Sequence, residues 1–207
     1  MATEDRLSMP LGEAIFTQRA IRRFRPDPIP EADLKDILEA AIHAPNGGNA
    51  QLWRFLAIRD AQLRAQFALL YHEAWWAKRR DEGILGPEDL PPGKNVWRSA
   101  TRLADEIGQA PVIVLLCATV KGPAAFASVI LSAQNLLLAA RSLGIGGVIT
   151  TLHPQVEERV HQMFGIPDSA QIVYCLPLGY PRGRFGPLQR KPLSEVCYYD
   201  RWEGASP

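Results

Sequence analysis

Residues 123–143 restrict the possible folds more than any other stretch of this sequence. The helix they predict carries apolar side chains round nearly its whole circumference, so it belongs at the centre of the molecule. At 1.5 Å per residue it would run about 30 Å, the diameter of a small domain. Gly144 follows in the position where glycine commonly ends a helix. Ser128, Ser132, Gln134 and Asn135 interrupt the apolar run, and a lipid-facing span rarely carries so many polar groups. On either side, residues 111–118 and 145–151 predict strands, the first a continuous apolar run rich in β-branched side chains. A chain of 207 residues can bury the core that such a helix needs, and it fits one domain.

The other elements gather round this centre. Residues 11–19 predict a short helix with Leu11, Ala14 and Ile15 turned inward. Pro30 opens the next helix, where Leu34, Ile37, Leu38, Ala41 and Ile42 recur as one buried stripe. Pro45 stops it, because the residue before a proline disfavours α geometry. Residues 53–58 alternate as a strand, and 61–80 predict a helix carrying Phe67, Leu70, Tyr71, Trp75 and Trp76. Residues 154–164 form a last helix ending at Gly165, and 172–178 a last core strand, before an extended tail. Residues 80–94 are rich in Gly, Pro and acidic side chains, which is loop chemistry. The stretch 71–97 thus reads as a candidate lid, with Tyr71, Trp75, Trp76 and Trp97 as candidate pocket walls. Aromatics at helical spacing serve equally as core, so both roles stay open.

Composition and motifs remove several classes of function. With 23 Lys+Arg against 22 Asp+Glu the net charge is +1, so no global field selects nucleic acid or membrane. Cys117, Cys175 and Cys197 are far apart and lack CxxC spacing, which argues for a reducing compartment rather than a disulfide framework. The acidic N-terminus has no apolar signal region, and the chain reads as soluble and cytoplasmic. No metal is expected, since His43, His72, His153 and His161 do not cluster with cysteines. Dinucleotide-binding GxGxxG, Walker-type and GxSxG motifs do not occur.

Two basic segments and one amide-rich loop remain. Arg19, Arg22, Arg23 and Arg25 fall within seven residues, alternating with Ile21 and Phe24 and closed by Pro26 and Pro28. A charge run is usually a solvated face. The apolar alternation here implies half burial instead, and guanidinium forks bind phosphate oxygens in pairs. In residues 44–53 the amides of Asn46, Asn49 and Gln51 can both donate and accept, while Gly47 and Gly48 admit close approach and positive φ. As a buried loop this stretch suits a planar polar ring; an ordinary helix-ending turn is the alternative. The late basic segment holds Arg182, Arg184, Arg190 and Lys191. No nucleophile or acid–base pair accompanies these groups, so a cofactor with a phosphate and a polar ring would carry the chemistry.

With these segments in this order, the chain resembles the FMN-dependent nitroreductase family over nearly its whole length. The matching motifs are QRAIRRF at 18–24, APNGGNAQLW at 44–53, AQNLLLAA at 133–140 leading into LGIG, and GYP at 179–181 followed by RKPL at 190–193. The resemblance implies an α+β fold with a mixed central sheet flanked by helices. It also implies a homodimer with FMN at the subunit interface and a C-terminal arm, residues 180–207, embracing the partner. Arg19 and Arg190, aided by Lys191 and with Ala20 in the same stretch, would hold the FMN phosphate. Arg22 or Arg23 would lie toward the N1/O2 edge, where positive charge favours the reduced ring. Pro45, Asn46, Gly47, Asn49 and Gln51 would supply the opening loop, with Asn46 and Asn49 on the ribityl chain or ring. Gly147, Val148, Ile149 and Thr151, with the Thr150 hydroxyl, would face the O4/N5 edge.

NADPH or NADH would deliver hydride to FMN, and a nitroaromatic, quinone or similar conjugated acceptor would take it in a ping-pong scheme. No catalytic side chain is required. The same residues also suit an FMN storage or sensing protein whose lid fills the pocket, or a specialised dehalogenase-like or flavin-consuming relative. The chain departs from the family pattern at Gln18 and Ala20, where arginine and serine are more usual. It departs again at Asn46, where serine or threonine is common, and at Leu52, where proline is common. Trp53 reads as core.

Overall fold

A four-stranded sheet lies between two helical layers. The structure, a computed structural model, describes residues 2–93 and 95–207. In chain order the elements are α1 (Thr3–Arg6), α2 (Leu11–Thr17), α3 (Glu31–Ile42), β1 (Trp53–Ile58), α4 (Ala61–Asp81) and α5 (Asn95–Glu106). Then come β2 (Val112–Ala118), α6 (Pro123–Ser142), β3 (Gly146–Gly147), α7 (Pro154–Phe164) and β4 (Gln171–Gly179). The strand order is β1-β2-β4-β3, and all three pairings are antiparallel.

This corrects the mixed sheet. β2 and β3 do run in the same direction, joined by α6, but β4 inserts between them and pairs antiparallel with both. The parallel relation is therefore present without a parallel ladder. The protein is α+β, with helices on both faces of a small antiparallel sheet.

The period of two along β2 creates the two cores. Val112, Val114, Leu116 and Ala118 pack with α3 and α6, while Ile113, Leu115 and Cys117 pack with α4, α5 and α7. A strand buried on both faces reads as an unbroken apolar run, as its sequence does. On the first face α6 is the centrepiece: Val129, Ala133, Leu136 and Ala140 are fully enclosed. By length and composition alone α6 could cross a membrane, yet half of its most apolar window is buried inside the protein. On the second face Asp60 caps α4, accepting the Leu63 N–H at 2.8 Å, and Gly165 ends α7 in the left-handed region.

Four sequence expectations change. α2 stops at Thr17, and of its expected inner face only Ala14 is buried; Leu11 and Ile15 are exposed. Ile42, the last residue of α3, turns outward although Leu34, Ile37 and Ala41 are buried. The strand expected over 145–151 contracts to Gly146–Gly147 and a single bridge between Thr150 and Cys175. Most of the loop expected over 80–94 is present, with a short 3-10 turn at Pro87–Asp89, while Lys94 lies outside the described residues. The following α5 was hidden in the sequence by the Gly/Pro-rich run before it.

Gly146 is a position where a side chain is poorly tolerated. A Cβ there would sit 2.4 Å from Ile21 Cγ1. Overpacking of this kind costs about 1–3 kcal/mol. Gly146→Ala should lower the urea midpoint accordingly, and adding Ile21→Val should recover part of the loss. An unchanged midpoint would show that this close approach is not tight.

Candidate flavin site

The segment after α2 joins the sheet by its backbone. Ile21 N–H donates to the Gly147 carbonyl at 2.9 Å, and Phe24 bridges Pro181 in antiparallel fashion. Arg25 N–H donates to the Tyr180 carbonyl at 2.8 Å, and Arg182 N–H returns to the Arg23 carbonyl at 3.0 Å. Ile21 and Phe24 are thereby buried, as their alternation with arginine implied. Of the arginines between them, Arg22 is half-buried and Arg23 is exposed.

One cavity of about 860 Å³ results, within the roughly 300–1,000 Å³ range of ligand pockets. Arg19, Arg22 and Arg190 line it together with Gln18, Ala20 and the tail residues 187–189. Leu137 from α6 and Val148 and Ile149 after β3 supply an apolar wall, and Gln134 adds an amide. No carboxylate belongs to the lining. Three guanidiniums beside an apolar wall with polar groups at its margins fit a phosphorylated ligand with a planar ring, which is the chemistry of FMN.

A second cavity, about 270 Å³, shares Arg22, Val148 and Ile149 with the first. Tyr71, Trp75, Lys78 and Arg79 from α4 form one wall, and Thr150 and Thr151 the other. The Thr150 hydroxyl donates to the Cys175 carbonyl at 2.7 Å, and Lys78 Nζ donates to Thr151 Oγ1 at 2.6 Å and to the Thr151 carbonyl. Burial makes both Arg22 and Lys78 less basic than usual. It also pushes the Tyr71 hydroxyl up to about 12, with the Thr150 side chain acting in the opposite direction. The Arg79 guanidinium lies 4.5 Å from the ring centres of both Trp75 and Trp97, tying α4 to α5 by cation–π contact.

The sequence-derived candidates thus divide. Arg19, Ala20, Arg22, Val148, Ile149 and Arg190 meet in the larger cavity, and Tyr71, Trp75, Thr150 and Thr151 in the smaller. Gly147 holds the strand pairing through its carbonyl. Arg23 faces Glu106 at 3.9 Å, and Lys191 pairs with Glu195 at 3.7 Å on the surface; neither lines a cavity. Trp76 lies outside both, its indole donating to His72 Nε2 at 3.2 Å, and Trp97 serves as a stacking partner of Arg79.

The loop expected to be buried is not. Pro45, Gly47, Asn49 and Gln51 are exposed, Asn46 is half-buried, and none lines either cavity. Its amides satisfy one another: Asn46 Oδ1 accepts the Gln51 N–H at 2.9 Å, and Gln51 Nε2 donates to Asn49 Oδ1 at 3.2 Å. Asn49 and Gln51 adopt φ values of 52° and 49°, the left-handed region that amide side chains tolerate best after glycine. Trp53, as read from sequence, is core. Sequence reasoning missed Gln134, Lys78 and Arg79. Gln134 stood out as a polar break in an apolar helix, and Lys78 and Arg79 fall three and four residues after Trp75, on the same helical face.

The profile described as the Nitroreductase family matches residues 15–180. This chain belongs to the nitroreductase family. It is 33% identical over 199 residues to an NADH dehydrogenase of Thermus thermophilus, covering 90% of this chain and 94% of that protein. It is 30% identical over 181 residues to an iodotyrosine deiodinase of Thermotoga neapolitana, covering 86% and 91% respectively. Among solved structures, an oxidised iodotyrosine deiodinase bound to FMN and 3-iodo-L-tyrosine superposes with a TM-score of 0.76 at 26% identity, covering 93% of this chain and all of that one. Members of this nitroreductase family are FMN-dependent oxidoreductases.

Tyr71 gives this region a pH signature. The fold favours the protonated phenol, so its contribution to stability is complete below pH 10 and is lost as pH rises through about 12. The full shift corresponds to roughly 2–3 kcal/mol. Stability measured by denaturant titration should therefore fall between pH 10 and pH 11.5, and Tyr71→Phe should fall less steeply. Parallel curves would contradict this assignment.

Proposed function

We propose that this protein is an FMN-dependent oxidoreductase, passing reducing equivalents from NADH or NADPH to a nitroaromatic, quinone or similar conjugated acceptor in two half-reactions. The convergence of Arg19, Arg22 and Arg190 on one carboxylate-free, ligand-sized cavity carries this reading. FMN would supply the two-electron chemistry. Arg19 and Arg190 would grip its phosphate, and Arg22 would hold positive charge at the ring edge where negative charge grows on reduction. Residues 147–151 would face the opposite ring edge through backbone groups. No side chain has to act as acid or base, and none is asked to. Trp75 and Trp97 stack on Arg79 rather than across the larger cavity, which favours turnover over flavin storage.

The working unit in this proposal is a cytoplasmic homodimer of single-domain subunits. Leu11 and Phe16 on α2 and Leu193, Val196 and Trp202 in the tail are exposed, Trp202 to 87%. A partner covering them would take the arm of residues 180–207 and would receive the exposed Asn46 and Asn49 at its own flavin site. Residues 71–97 would act as the lid. A second reading, reductive dehalogenation, is favoured by the 30% identity to an iodotyrosine deiodinase and is tested by iodide release from an iodinated phenol.

In the decisive assay, FMN-loaded protein is mixed with NADH or NADPH without oxygen. Its yellow absorbance should bleach with at least one donor and return when a quinone is added. Flavin that stays oxidised with both donors would sink the catalytic reading. Hydrogen bonds to charged groups contribute about 1.5–3 kcal/mol, and 1.4 kcal/mol is tenfold in affinity. Arg19→Ala and Arg190→Ala should each therefore weaken FMN binding about tenfold or more in a fluorescence titration.

A further inference from the structure

The smaller cavity has a charge that the flavin does not explain. We propose that it is an anion subsite, and that the preferred acceptor carries a carboxylate or comparable small oxyanion on its conjugated ring system. This inference rests on the oxidoreductase reading above.

Three cationic side chains, Arg22, Lys78 and Arg79, line a space of about 270 Å³ whose walls hold no Asp or Glu. Arg79 is offset by Glu82 at 3.0 Å. Arg22 and Lys78 have no carboxylate partner among the described residues. Lys78 spends two of its three N–H donors on Thr151 and keeps one. Half-buried charges without a counter-charge are costly, and one oxyanion would relieve that cost. Partial burial makes both Arg22 and Lys78 less basic than usual.

Size sets the rest. At 270 Å³ the space falls below the roughly 300–1,000 Å³ that whole ligands occupy, so it suits a substituent of something seated in the adjoining cavity. Tyr71 and Trp75 add aromatic side chains to the smaller cavity's lining, suited to a ring that bears the anion. Arg22, shared by both cavities, places the subsite directly beside the proposed flavin ring. A phosphate of the nicotinamide donor is the other anion that could reach this charge, and the experiment separates the two.

Binding to FMN-loaded protein is measured by calorimetry with benzoate and benzamide, which needs no turnover. Benzoate should bind at least about tenfold more tightly. Lys78→Gln should remove most of that difference, and Lys78→Arg should keep it. In steady-state assays 4-nitrobenzoate should exceed its methyl ester in kcat/KM by a similar factor, expressed mainly in KM, and Lys78→Gln should erase the preference. Equal binding of the two probes, or discrimination that survives in Lys78→Gln, overturns the proposal. So does a Lys78→Gln variant whose KM rises for the nicotinamide donor while acceptor discrimination stays intact. If neither donor reduces the flavin, the oxidoreductase reading falls, and the benzoate–benzamide comparison alone decides whether the cavity binds anions.

Discussion

The hydrogen bond from Ile21 N–H to the Gly147 carbonyl, at 2.9 Å, fixes the distance between the N-terminal arginines and the end of the sheet. It forms because Gly146 leaves room for Ile21, and because β3 is short enough to end where the bond is needed. Ile21 and Phe24 go into the core, so Arg19 and Arg22 are carried to the cavity as a consequence of packing. The tail is set by the same ladder. Phe24 bridges Pro181 and Arg182 returns to Arg23, which directs residues 187–190 over the opening. Residues 19–22 and 148–149 are therefore held beside one another at the sheet edge, and the tail brings Arg190 to the same cavity.

Electrostatics then distinguishes the two cavities. The larger one is an arginine cradle against an apolar wall, suited to a phosphate at one end and a ring at the other. The smaller one is aromatic and basic, stiffened by Arg79 between two indoles and by Lys78 clamped to Thr151. Arg22 belongs to both. In the proposed function, charge that would tune the cofactor and charge that would select the acceptor therefore adjoin.

Much of this was legible in the sequence, and the gaps have physical causes. The strands Trp53–Ile58 and Val112–Ala118 and the helix Pro154–Phe164 follow directly from apolar period, length and punctuation. Arg19 and Arg190 were recognisable as partners only through family resemblance, since a single sequence does not reveal which residues meet across 171 positions. The helix Asn95–Glu106 was obscured by the Gly/Pro-rich run before it. The loop carrying Asn46, Asn49 and Gln51 was recognised as special, but not as exposed. Its amides bond to one another as readily as to a ligand, and composition does not distinguish the two. Lys78 and Arg79 sit in a basic last turn of α4, which in sequence looks like an ordinary solvated helix end.

The proposed flavin cradle depends on the joint at Ile21 and Gly147. A crystal structure of the FMN-loaded protein tests it most directly. The FMN phosphate should lie within hydrogen-bond distance of Arg19 and Arg190, with the ring against Val148 and Ile149 and one edge beside Arg22. Flavin bound elsewhere, or a phosphate contacting neither Arg19 nor Arg190, would contradict it.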